Sequence, residues 1–323
     1  MFPAIATRIA TAMVTLFLVT IVVFALLCAL PGDPSGVDDA PRPLPVEYRA
    51  ALRAQYHLDD AWPVRYGRWV HDLLRGELGT SFSAQQPVAA ILKERLPVSL
   101  GLNALALLAM LGVAVPLGII GAAKPDGPWD RAAWIATTAL YAIPVFWTAL
   151  LLQWLFAMRL GWLPLSGLST DGAREPSVAS ALADAARHLV LPAACLALGG
   201  LAYVTRFVRT NLVEATAGEG GRAARARGLS TLQYVARHGV VQAVVPLLTL
   251  AGFLIPRLVA GSLLIEAIFN IPGVGSLLFD SILARDLPVV LALTLLSGLA
   301  TLFGTTLADV LIVWLDPRVR RAT

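Results

Sequence analysis

The chain has 323 residues, of which 57% are hydrophobic and only 14% charged, against roughly 25% charged in a soluble globular domain; with a mean hydropathy of +0.73, a bilayer is its simplest solvent. The formal net charge of +4 does not point to nucleic acid, because the basic residues lie between apolar blocks with no aromatic-interleaved platform. The only cysteines, Cys28 and Cys195, each sit inside an apolar run, which excludes a disulfide framework or a thiolate metal cluster.

The charge-free run 9–30 is long enough to span, since about 20 residues cover a 30 Å hydrocarbon core. It ends in Ala29-Leu30-Pro31-Gly32-Asp33-Pro34 rather than a small-residue cleavage pattern, so it is expected to be a retained helix and not a signal peptide. Further charge-poor runs follow at 98–123, 132–158, 189–205, 240–265 and 288–315, making about six spanning helices. The fourth is short, with Arg206 and Arg209 placed to continue the same helix and snorkel to the headgroups. Pro116, Pro144, Pro192, Pro246 and Pro256 fall inside apolar runs, where each removes a backbone donor and favours a kink.

The arginine excess of the short loops sets the orientation. Arg8, the loop with Lys124 and Arg131, the loop 206–240 and the tail with Arg318, Arg320 and Arg321 all lie on one side of an even-numbered bundle. That side is expected to be the cytoplasm, with both termini there. Segment 31–97 then forms an extracytoplasmic insertion, punctuated by Tyr48, Tyr56, Trp62, Tyr66 and Trp69, that is expected to be compact and partly helical. Its helical part should end at the turn Gly76-Glu77-Leu78-Gly79-Thr80-Ser81. The organisation is thus a first helix (1–30), an extracytoplasmic insertion (31–97) and a core membrane domain (98–323) carrying the loop 206–240.

Within that loop, Arg222-Ala223-Ala224-Arg225-Ala226-Arg227-Gly228-Leu229-Ser230 combines helix formers with a glycine suited to a left-handed stop, so a short helix ending at Gly228 is expected. Taken alone, its arginines also read as topology signals. Gly218-Glu219-Gly220-Gly221 precedes it without the Lys-Ser/Thr of a phosphate-binding loop, so any ATP chemistry must come from elsewhere. The four histidines, His57, His71, His188 and His238, include no pair at metal-ligand spacing on one helix turn. Glu266 reads as a boundary residue where the fifth span emerges. Asp309 reads as an acid pairing inside the bundle, without the second carboxylate of an aspartyl protease.

The loop motif, with Arg237-His238 and Pro246 behind it, resembles the coupling-loop signature of the dipeptide and oligopeptide (and nickel) permeases of the ABC importers. The likeness continues through Glu266-Ala267-Ile268-Phe269-Asn270-Ile271-Pro272-Gly273-Val274-Gly275, then Arg285-Asp286-Leu287-Pro288 and Asp316-Pro317-Arg318. Upstream, Pro31-Gly32-Asp33-Pro34, Ile143-Pro144-Val145-Phe146-Trp147, Gly161-Trp162-Leu163-Pro164 and His188-Leu189-Val190-Leu191-Pro192 are similar to the first (B-type) permease subunit. The resemblance spans essentially the whole chain and implies an all-α polytopic membrane protein with the type I ABC importer permease fold.

It further implies a heterodimer with a second homologous permease, two ABC ATPase subunits or a fused ATPase that use ATP and Mg, an extracytoplasmic solute-binding protein, and a bacterial inner-membrane location. The chain itself would bind no cofactor and hold no catalytic residue. By the resemblance, Arg222, Ala223, Ala224, Arg225, Arg227, Gly228, Leu229 and Ser230 would couple to an ATPase, the small face Ala223, Ala224 and Gly228 permitting close approach. Glu266, Phe269, Pro272, Gly273 and Gly275 would form an extracytoplasmic gate or receptor-facing region.

Three departures from the family pattern stand out. Gly218-Glu219-Gly220-Gly221 replaces an Asp-Tyr pair and is expected to fray the front of the short helix, at roughly 1 kcal/mol per interior glycine. Gly304-Thr305-Thr306 replaces an asparagine and bulky residues. Arg257 stands within the fifth span, where it is expected either to line the translocation path and attract carboxylate-bearing solutes, or to snorkel or pair with an acid of the second permease. Small peptides are the expected cargo, with nickel chelates or other small solutes as the alternative. A stand-alone channel or secondary transporter would need a filter, an acidic relay or inverted repeats.

Overall fold

The computed structural model describes residues 2–29, 53–54, 57, 59–170, 177–235 and 262–315. Among them the regular structure is helical, and one isolated bridge joins Thr80 to Pro87. Helix α1 (Phe2–Ala29) is followed by a short amphipathic helix, α2 (Trp62–Leu74), which starts on Pro63 in its first turn and stops before Gly76 and Gly79, both at positive φ. That stop is the turn expected from the sequence.

Helix α3 (Val88–Ala123) begins ten residues before its apolar run, because the polar stretch Lys93-Glu94-Arg95 continues the helix instead of ending it. Helix α4 (Pro128–Ala142) ends at Ile143, whose backbone is extended as the residue before a proline prefers. Helix α5 (Val145–Leu152) restarts beyond Pro144 and runs on as a π-helical turn, Gln153–Arg159. The apolar run 132–158 is therefore two helices bent by 97° at their break, the geometry of a broken span or a re-entrant loop. Pro116 and Pro192, by contrast, sit within continuous helices.

Helix α6 (Val178–Ala217), 40 residues long, is capped by Ser177 and absorbs the expected fourth span with Arg206 and Arg209 inside it. The short helices α7 (Glu219–Ala226) and α8 (Thr231–Tyr234) follow. After residues outside the description come α9 (Leu263–Ile268), α10 (Val274–Leu283) and α11 (Leu287–Leu315). α1, α3, α6 and α11 are long and apolar enough to cross a membrane, and the bent α4–α5 pair makes a fifth candidate. The expected run 240–265 lies outside the described residues except for 262–265, as do Arg257 and the side chain of Asp309.

α3 and α6 form the central pair, with α4 laid against them, and α11 lies along α1. In a bilayer the lipid is as apolar as the side chains, so close packing and small residues hold helices together. Gly118 illustrates this: a Cβ there would come 2.7 Å from Val208 Cγ1 and 3.1 Å from the Thr205 carbonyl. At the end of the bundle that leads to α7, the Arg209 guanidinium grips the buried Asp130 through Nε (2.7 Å) and Nη2 (2.6 Å). The Asp126 N–H donates to the same carboxylate at 2.8 Å, so the α3–α4 turn is tied to α6.

At the opposite end the insertion is fastened to the core. The Tyr66 ring packs edge-on to Phe24 of α1 at 5.3 Å, and its hydroxyl meets Thr20 Oγ1 at 2.9 Å. Asp286, fully buried, accepts from Ser81 Oγ (2.5 Å), Ser83 Oγ (2.7 Å) and Ser83 N–H (3.0 Å).

The α3–α6 seam yields a contrast. A Cβ at Gly118 meets a β-branched side chain and backbone, whereas one at Gly200 meets only the flexible end of Met110. Gly118→Ala should cost about 1–3 kcal/mol by overpacking and lower the melting temperature in detergent, while Gly200→Ala should lower it much less; the two melting curves decide the ranking.

Candidate functional site

Two assemblies stand at opposite ends of α6. The first is α7. Its chain turns back sharply after Ala217, and Gly221 is buried because a Cβ there would collide with the Thr216 carbonyl. The glycines expected to fray this helix thus sit in its first turn and allow it to close against α6, so the helix is formed from Glu219 onward. Arg225 Nη1 donates to the Thr216 carbonyl at 2.9 Å, and Ala224 is buried against the chain's own structure.

Gly228, at φ +82°, provides the left-handed stop expected of it, and the Leu229 N–H closes on the Ala224 carbonyl at 3.1 Å. Ser230 caps α8 in a reciprocal box with Gln233. The Tyr234 hydroxyl then donates to the Ala215 carbonyl at 3.3 Å, and Val235 enters the α3–α6 core beside Leu212. The result is a short helix anchored on both flanks to the end of a span. Outward it presents Arg222, Ala223, Ala226 and Arg227, all exposed, and neither Arg222 nor Arg227 has an ion-pair partner among the described residues.

The second assembly is built on Glu266, read from the sequence as a boundary residue and wholly inaccessible in the structure. Its Oε1 accepts from Ser99 Oγ (2.8 Å) and the Ser262 N–H (3.0 Å), and its Oε2 from the N–H groups of Gly275 (2.7 Å) and Ser276 (3.1 Å). Ser99 Oγ in turn accepts from the Val274 N–H at 2.7 Å, which ties α3 into the same knot. Gly273 and Gly275 are required by proximity: a Cβ on Gly273 would strike Glu266 and Ser99, and one on Gly275 would lie 2.6 Å from the Leu263 nitrogen.

Phe269 is buried and its carbonyl accepts from the Gly167 N–H at 2.8 Å, whereas Pro272 is exposed at the tip beside Asn270, which takes φ +49°. Gln153 Nε2, from the π-helical turn, donates to Leu165 O at 2.9 Å and more weakly to Ile268 O at 3.4 Å. The residues expected as a gate are therefore brought together by one carboxylate. Arg257 lies outside the described residues and is not placed near either assembly.

Ser99, Asp130 and Asp286 carry this architecture and were not singled out individually in the sequence; Arg209, expected to continue the fourth span and snorkel, does continue the helix and is bound to Asp130. Asp286 and Ser81 each fall within a quoted motif, but a separation of 205 residues hides their pairing.

A helical, multi-span bundle with a buried carboxylate clamp at one end and an outward-facing arginine helix at the other defines a membrane transport component. The family comparison agrees: residues 114–321 match the "Binding-protein-dependent transport system inner membrane component" model, and residues 1–103 match the N-terminal model of such membrane components. The chain belongs to this family; it is a multi-pass inner-membrane permease subunit of an ABC importer with the type I permease fold.

Among similar proteins, the oligopeptide transport system permease protein AppB of Bacillus subtilis is 32% identical over 302 residues, covering 93% of this chain and 94% of AppB. A putative peptide transport system permease of Brucella abortus is 36% identical over 315 residues, or 97% of both chains. A probable peptide ABC transporter permease of Sinorhizobium fredii is 32% identical over 314 residues, again 97% of both.

Glu266→Gln should disturb the clamp in a readable way. An amide keeps the size but turns one acceptor oxygen into a donor, which then faces two backbone N–H groups or the Ser99–Ser262 pair. A loss of about 1–3 kcal/mol, with faster proteolytic cutting within residues 262–283, is expected; an unchanged melting temperature and cutting pattern would contradict the clamp.

Proposed function

We propose that this permease subunit translocates small peptides across the inner membrane and that ATPase subunits drive it by gripping α7. The observation that carries the reading is a helix fixed to α6 on its inner side whose outer side offers Arg222, Ala223 and Arg227 to a partner. Small residues permit close approach, and unpaired guanidinium groups favour an acidic cleft. Peptides are inferred from the relatives named above, whose likeness runs over nearly the full chain.

In this reading α7 and both termini face the cytoplasm, in keeping with the arginine excess of the short loops. Two ATPases, separate or fused, bind and hydrolyse ATP with Mg, and this chain binds no cofactor. A second homologous permease completes the pathway, Arg257 lines it, and a solute-binding protein delivers cargo at the end where Glu266, Phe269, Pro272, Gly273 and Gly275 gather. Closure of the ATPases moves α7, and the bundle exchanges an outward-open for an inward-open arrangement.

The charge-reversed variant Arg222→Glu/Arg227→Glu tests this. Both side chains are exposed and make no ion pair within the described chain, so its melting temperature should match the parent. The ATPase should no longer copurify, and binding-protein-dependent peptide uptake into vesicles should fall about tenfold or more, as expected when like charges face each other at an interface. Full uptake by a variant present at parental levels would refute the grip on α7.

A further inference from the structure

A second feature at the α7 end of the bundle has no part in the grip on α7. α4 and α6 run antiparallel there, pairing Asp130 with Arg209, then Trp134 and Thr138 with Arg206, then Tyr141 with the turn holding Ala202 and Tyr203. Between them at the rim lies an open cavity of about 370 Å³ whose wall carries Arg131, Arg206 and Arg209 with Trp134. Both acids of that wall, Asp126 and Asp130, are engaged by Arg209, at 3.5 and 2.6 Å.

Arg206 is held in place without being neutralised: it donates to Thr138 Oγ1 and its guanidinium lies 5.6 Å over the Trp134 ring. Arg131 is exposed and makes no ion pair among the described residues. Three guanidinium groups and two carboxylates therefore share this concavity, leaving one net positive charge, with Arg131 and Arg206 outside any ion pair among the described residues.

The next cavity along the same two helices shares Arg206 and Thr210 with the first, measures about 470 Å³, and is walled by Tyr141, Tyr203 and Phe207, with Asn211 and Glu214 on its side nearer α7. Tyr141 is 11 residues beyond Asp130 on α4, or about 16 Å deeper along the helix axis. The outer faces alongside are apolar and uncovered, with Trp129, Ile135, Tyr141 and Tyr203 all exposed, and tryptophan and tyrosine favour the level of the headgroups. Positive charge at the rim, an aromatic groove below it and lipid-exposed flanks match one amphiphile.

We propose that this cleft binds an anionic membrane phospholipid in the leaflet on the α7 side, with Arg131 and Arg206 holding the headgroup phosphate and Tyr141, Tyr203 and Phe207 bordering the upper part of an acyl chain. A single negative headgroup satisfies both free guanidinium groups and lets Trp134 keep its stacking on Arg206. A zwitterionic headgroup would bring its own cation into a wall that is already positive, and a free phosphate would leave the aromatic groove unused. The bound lipid would bridge α4 to α6 outside the Asp130–Arg209 pair, and so stiffen the base from which α7 projects.

The test uses the assembled transporter in a neutral detergent and a photoactivatable phosphatidylglycerol whose reactive group sits near the headgroup. Peptide mapping should place the label on segments 129–141 and 203–210. Excess phosphatidylglycerol should displace it, while phosphatidylcholine and inorganic phosphate should not. Surface arginines are worth about 1 kcal/mol each toward anionic lipid, so Arg131→Gln/Arg206→Gln should weaken labelling about tenfold or more, and Arg75→Gln, a matched charge loss in the insertion, should leave it unchanged. Arg131→Gln alone guards against misfolding, because that side chain makes no bond in the described chain, and it should still weaken labelling several-fold. Equal labelling of the variants, equal competition by phosphatidylcholine, displacement by phosphate alone, or no labelling because another subunit covers this face would each overturn the proposal.

Discussion

The carboxylate of Glu266 is the constraint around which one end of the molecule is arranged. Burying a carboxylate is costly unless donors replace its hydration, and here four donors from three stretches of chain converge on it: Ser99 on α3, Ser262 before α9, and Gly275 and Ser276 at the start of α10. Once those bonds are made, the path of the α9–α10 turn leaves no room for a side chain at Gly273 or Gly275. The two glycines follow from this packing, while Phe269 is buried in the apolar cluster with Leu102, Leu191 and Ile265. This end of the bundle is consequently a turn held against α3.

The opposite end follows a different physical logic. Asp130 and Arg209 form a bidentate pair at the α3–α4 turn, a geometry in which the planar guanidinium is matched to a carboxylate. α7 is fastened by backbone contacts: Arg225 to the Thr216 carbonyl, Tyr234 to the Ala215 carbonyl, and Gly221 against Thr216. Inward-facing groups are consumed in this fastening and outward-facing ones are left over.

The apolar runs were enough to locate α1, α3, α6 and α11, because length and hydropathy are local properties. Their ends were not legible from hydropathy, since Lys93-Glu94-Arg95 and Arg206 and Arg209 stay helical while leaving the hydrocarbon, and a helix does not stop where its apolarity does. Pro144 was readable as a disturbance but not as a 97° bend, because the angle depends on what α5 packs against. Gly228 was legible, as a left-handed stop is a local requirement, whereas Gly221 looked like a helix breaker until its neighbour Thr216 was in place. The burial of Glu266 was hidden for the same reason: its partner Ser99 lies 167 residues away, and nothing in the surrounding sequence reveals that contact.

What joins the two ends is the α3–α6 pair. Near α7 the pair buries Met110, Ala114, Val204, Val208 and Leu212 together with Val235; near Glu266 it buries Leu102, Ala106, Leu191 and Cys195 together with Ile265, Phe269 and Ile271. Interiors packed to this density deform little, so α6, about 60 Å long at 1.5 Å per residue, moves as one body with the helix at its end. Pro192 does not interrupt it, and seam glycines such as Gly118 keep the two backbones close. Packed side chains therefore run along the α3–α6 pair from the α7 end to the Glu266 turn, and the α4–α5 pair, bent by 97° at its break, is the described element that departs from this straight packing.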